Sequence, residues 1–123
     1  MNKRIVAISV LLLMMLAMTA SVFAMTYNEL AQSLQNGVRV SETVVNQSKN
    51  WKNAEQAEAG WDRFSGQINQ AESAVQDAEN YVAVNGSLDS NLQQKVNQIK
   101  ANLRQIKNKM SAFGIPTYWA IDL

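Results

Sequence analysis

The residues of this chain best suited to chemistry are aromatic rather than ionisable. Trp51, Trp61, Phe64, Phe113, Tyr118 and Trp119 fall where the ends of expected helices meet. Aromatic rings with a polar rim take sugars, peptides or apolar ligands at small entropic cost, because each ring has few torsions to freeze. Trp51, Trp61, Tyr118 and Trp119 are the candidate partner contacts. The alternative is that the tail folds back and the same rings form a terminal mini-core, since aromatics at helical spacing are more often interior than site.

Two charged groupings compete with the aromatic one. Glu55, Glu58 and Asp62 follow one another at helical spacing, but they have no second supplier of ligands and no group that would tune a pKa for acid–base work. Their place at a helix start suits the macrodipole instead. Lys100, Arg104 and Lys107 share one face of the last expected helix and could meet nucleic acid or an anionic lipid surface. The preceding helix is rich in acids, however, so pairing within the chain, Glu79 with Lys95 and Glu72 with Lys100, accounts for that face. No nucleic-acid partner is expected.

With no His and no Cys among 123 residues, the usual general base and the usual ligands for zinc, copper and haem are missing. The sequence therefore assigns no catalytic residue, no cofactor and no metal, and it does not read as an enzyme. Without disulfides, packing alone must hold so small a domain.

The N-terminus sets the compartment. Met1-Asn2-Lys3-Arg4, the apolar run from Ile5 to Ala17, and Val22-Phe23-Ala24 read as the charged region, the hydrophobic region and the small-residue cleavage site of a signal peptide over 1–24. Cleavage would expose Met25. An uncleaved anchor is the competing reading, because the run from Ile5 to Met25 could span a bilayer. Either way the remainder is expected outside the cytoplasm, periplasmic or secreted, touching a membrane only through that segment if it is retained. Loss of Lys3 and Arg4 turns a net charge of +1 into −1, so the mature domain is nearly neutral.

Three helices must position these residues. The first, about 26–50, opens on a capping box, Thr26-Tyr27-Asn28-Glu29. Its apolar face, Tyr27, Leu30, Leu34, Val38 and Val45, is interrupted by Ser41 and Ser48, and Gly37 costs about 1 kcal/mol relative to Ala in a helix interior. It reads as the weakest of the three. The second, about 54–84, and the third, about 88–113, carry stripes at 3,4 spacing that mirror each other about Asn85-Gly86-Ser87. Folded back there, Val82 meets Leu92, Ala78 meets Val96, Val75 meets Ile99, Ala71 meets Leu103, Ile68 meets Ile106, Phe64 meets Met110 and Trp61 meets Phe113. Such matched layers predict an antiparallel coiled-coil hairpin.

A phase slip near residues 50–54, with Asn53 able to cap a new start, separates the first helix from the second. Ser87 can cap the third, and Gly114, Ile115 and Pro116 end it. Laid back on the second helix, the first would bring Leu30 near Ala78 and Leu34 near Ala74. The expected fold is all-α, an up-down-up three-helix bundle over 25–116 built on the hairpin, followed by an apolar tail, 117–123.

These features point to an exported, non-enzymatic helical protein that acts through a protein partner or through self-association. The 23 Asn and Gln residues of the mature part lie mostly on outward faces and would also suit a structural subunit of an extracytoplasmic assembly or filament. A membrane-active helical hairpin is a further alternative, opposed by the fully paired seam.

Overall fold

The computed structural model describes residues 25–123; the signal segment expected over 1–24 lies outside the described residues. The described chain is a three-helix bundle of α1 (Tyr27–Ser48), α2 (Ala54–Asn85) and α3 (Ser90–Ala112). Among these residues no helix is long and apolar enough to cross a membrane.

Local chemistry fixes most helix ends. The Thr26 hydroxyl accepts the Glu29 amide at 3.1 Å, and the Glu29 carboxylate accepts the Thr26 amide at 3.3 Å, a reciprocal box that satisfies two donors the first turn would otherwise leave open. Helix α1 and helix α2 are separate. Asn50 and Trp51 close two tight turns onto the Gln47 and Ser48 carbonyls, and Asn53, extended at φ −151°, accepts the Gln56 amide to start α2. Gly86 ends α2 at φ +90°, in the left-handed region where a Cβ would be strained. At the end of α3 the Ile115 amide reaches the Met110 carbonyl and the Gly114 amide reaches that of Ser111, with Gly114 at φ +74°, a Schellman closure ahead of Pro116.

The cap of α3 differs from expectation. Asp89, not Ser87, accepts the Leu92 amide, at 2.8 Å. Leu88 is half-buried against the core and sets the phase of the entering chain. A carboxylate also satisfies the positive end of the helix better than a hydroxyl does.

The two mirrored stripes are interior. Leu92, Val96, Ile99, Leu103, Ile106 and Met110 on α3 are buried, as are Ile68, Ala71, Val75 and Ala78 on α2. Yet the hairpin is not where most of the packing lies. Helix α1 packs against both of the others far more extensively than they pack against each other. It does so along Leu30, Leu34, Gly37, Ser41, Val44 and Ser48, all buried and spaced 4,3,4,3,4. That is a third heptad stripe, written partly in small and polar residues.

Gly37 shows why α1 can take the middle position. A Cβ there would lie 2.7 Å from Ile99 Cδ1 on α3 and 2.9 Å from Ala74 Cβ on α2, so only a glycine lets the three helices approach this closely. Its helix-propensity cost is offset by packing on two sides at once. The same contact places Ala74 of α2 against Gly37 of α1. Along α1 and α2 the contacts run in opposite senses, with the Ser33 hydroxyl donating to Asp77 at 2.8 Å. Along α1 and α3 the contacts run in the same sense, from Tyr27 with Asp89 to Ser41 with Asn102.

The interior polar groups are satisfied. The Asn102 amide donates to the Ser41 hydroxyl at 3.0 Å, and that hydroxyl donates to the Val38 carbonyl at 3.0 Å. Among the described residues no buried side-chain nitrogen or oxygen lacks a partner. A polar pair of this kind penalises any slip of α1 along α3, because a slip would leave both groups buried and unpaired.

Candidate functional site

The end of the bundle opposite the Gly86 turn collects the aromatic residues. Trp51, between α1 and α2, is 6% exposed. Its indole lies against Gly60, so closely that a Cβ at residue 60 would overlap ring atoms Cε2, Cζ2 and Nε1. Gly60 is thus the floor on which Trp51 rests, and the pair ties the interhelical loop to α2. Beside it a shallow depression of about 270 Å³ is bordered by Gln47, Asn50, Gln56, Arg63 and Phe64. The Arg63 guanidinium stands 5.4 Å from the Phe64 ring centroid, and the Lys109 ammonium stands 5.6 Å from that of Phe113. Both cations shield ring faces that solvent would otherwise meet.

The tail beyond Pro116 is irregular and bends at Ala120 and Ile121, and its burial alternates strictly: Thr117, Trp119, Ile121 and Leu123 turn toward the bundle, and Tyr118, Ala120 and Asp122 turn away. Trp119 meets Trp61 edge to face, with centroids 5.4 Å apart and planes at 83°, and its Nε1 donates to the Thr117 hydroxyl at 2.8 Å. Ile121 is buried in the core.

Helix α2 grips the backbone of the tail at one residue. The Ala120 amide donates to the Glu72 carboxylate, and the Gln76 side-chain amide donates to the Ala120 carbonyl at 3.5 Å. Glu72 and Gln76, one turn apart, therefore supply the acceptor and the donor that a neighbouring strand would supply. Glu72, expected to face Lys100, is 6% exposed and committed to the tail. Charge patterning could not reveal this, because the partner of Glu72 is a main-chain amide 48 residues away.

Of the candidate contacts, the structure brings Trp61 and Trp119 together, sets Trp51 in the interior and leaves Tyr118 in solvent, 93% exposed. Tyr118 points away because Thr117 and Trp119 on either side of it are half-buried, Trp119 against Trp61. The acidic stripe Glu55, Glu58 and Asp62 is exposed. Among the described residues no group of three or more His, Cys, Asp or Glu is placed to hold a metal ion.

Reasoning from sequence missed Gly60, Glu72 and Gln76 as parts of this end. The alternation of Ile115, Thr117, Trp119, Ile121 and Leu123 was the signal that one side of the tail lies against a surface. Nothing comparable marks Gly60, whose role exists only in the presence of Trp51. Compared with known protein families, with curated proteins and with solved structures, the chain matches none of them.

Proposed function

We propose that this chain is an exported, non-enzymatic helical protein that acts by protein–protein interaction, its partner or second copy docking on the aromatic end. The observation that carries the reading is Tyr118, 93% exposed on a tail that Trp119 and Ile121, just after it, anchor on the bundle. An aromatic side chain displayed on a fixed platform loses little entropy on binding and buries a large apolar area. Trp119 and the Trp61 edge beneath it extend the same patch, while Trp51 supports it from within.

Two finer features belong to this proposal. The bundle is up-down-up, with the mirrored stripes of α2 and α3 forming an antiparallel coiled-coil seam that α1 closes. Export rests on Lys3 and Arg4, the apolar run after them and the Val22-Phe23-Ala24 site, and places the patch in the periplasm or outside the cell.

Tyr118→Ser is the test. Because the ring is almost wholly in solvent, the melting curve is expected to match wild type, whereas association in sedimentation or pull-down is expected to weaken by about tenfold or more, as for loss of an aromatic anchor. Unchanged association would overturn the reading, and the tail would then serve only to close the bundle.

A further inference from the structure

Past the docked tail, the cleft between α2 and α3 continues as an open groove of about 260 Å³. Val82, Leu88 and Val96 line it, with Glu79 on the α2 side and Lys100 on the α3 side. No part of α1 is among the lining residues. We propose that this groove binds an extended apolar peptide segment of a protein partner. The surface is distinct from the aromatic end and does not depend on it.

The argument is continuity with the tail. The α2 edge already holds a non-helical chain, accepting a backbone N–H with Glu72 and donating to the same residue's carbonyl with Gln76, while Ile121 beside it is buried in the core. Glu79 stands two turns beyond Glu72 on the same edge. It offers the next acceptor, and Lys100 across the groove offers a donor. Opposite charges on facing walls complement the N–H and C=O of a neutral backbone and favour neither an anionic nor a cationic ligand. Half-buried Val82 and Leu88 offer apolar surface to side chains at alternate positions of the peptide.

The groove admits the volume of a few side chains. An extended strand with two inward residues fills it.

The probe is a labelled peptide copying Thr117–Leu123, titrated into the full mature chain. Saturable one-to-one binding is expected below about 1 mM, the affinity suited to a short unstructured ligand. It should weaken about tenfold in Glu79→Lys and in Val82→Asp, as for loss of one anchor, and persist in Tyr118→Ser. Glu79→Lys decides the matter if Val82→Asp impairs folding, since Glu79 is exposed. No binding at about 1 mM would overturn the proposal. So would binding insensitive to Glu79→Lys but lost in Glu72→Gln, because the peptide would then be displacing the tail from its own track. A loss of partner association in Tyr118→Ser with groove binding intact separates this inference from the preceding reading.

Discussion

Helices α1 and α3 carry buried stripes of the same spacing and opposite character. On α3 the stripe is Leu92, Val96, Ile99, Leu103, Ile106 and Met110; on α1 it is Leu30, Leu34, Gly37, Ser41, Val44 and Ser48. By apolar content α3 should dominate, yet α1 makes the broadest contacts, because it packs on both partners. Large side chains stabilise by the area they remove from water, about 25 cal/mol per Å². Small ones stabilise indirectly, by letting backbones close in so that neighbouring large side chains are fully covered. Ile99 is fully buried partly because residue 37 has no side chain.

The comparison breaks differently on its two sides. On α3, removing volume should be costly: Leu103, fully buried, is expected to lose about 2–5 kcal/mol as Leu103→Ala, read as a fall in denaturant midpoint at constant slope. A midpoint unchanged from wild type would refute its placement in a sealed layer. Adding volume should be costly at glycine. Gly60→Ala is expected to lose about 1–3 kcal/mol and to move Trp51 into water, read as a red shift in tryptophan fluorescence. Gly37→Ala should also lose stability: Ile99 Cδ1 can swing aside, but Ala74 Cβ, 2.9 Å from the new methyl, moves only with the α2 backbone, which outweighs the gain of about 1 kcal/mol in propensity. If Gly37→Ala stabilises the protein, the close approach of the three helices is not tight.

An effect similar in size to that at Gly60 is expected at the polar part of the α1 stripe. Ser41→Ala leaves the Asn102 amide without its partner and should cost about 1–3 kcal/mol, whereas replacing both residues by apolar ones of similar shape should recover most of that loss. A double-mutant cycle with no coupling would show that Ser41 and Asn102 do not act together.

The smallest effect is at the Tyr27–Asp89 contact, which is exposed. The Leu92 amide, and then the Tyr27 hydroxyl, hold the Asp89 carboxyl below its ordinary value. A depressed carboxyl favours the folded state when ionised, so its contribution is present at neutral pH and lost as pH falls below about 4. The hydrogen bond to Asp89 raises the Tyr27 phenol, so its contribution is complete below about pH 10 and lost as pH rises past that value. Tyr27→Phe should flatten the alkaline limb of a melting-temperature profile and leave most of the acid limb, which the Leu92 amide governs. An alkaline limb identical to that of wild type would show that the phenol contributes nothing.

Features made by neighbours in sequence were legible without coordinates. The Thr26–Glu29 box, the Asn53 cap and the Gly114–Ile115 closure each involve residues within one turn, so residue type and spacing define them. The Asp89 cap was missed by two positions because Leu88, through burial, decided where α3 begins. The aromatic end was legible as a collection of rings but not as an arrangement. The tail's inward alternation separates Trp119 from Tyr118, and only the Gly60 floor explains the burial of Trp51.

The sequence by itself determined three helices, their caps, the interior stripes of α2 and α3, and an apolar tail, because those depend on periodicity and on local hydrogen bonding. Tertiary structure decided what lies in the middle. Gly37, Ser41 and Ser48 look like faults in an apolar stripe until two other helices are placed around them. Glu72 looks like a surface charge until the tail's amide reaches it. Small and polar residues acquire their value from partners distant in sequence. No pattern within a single helix can express the fit of a backbone into a space that three helices and a tail create together.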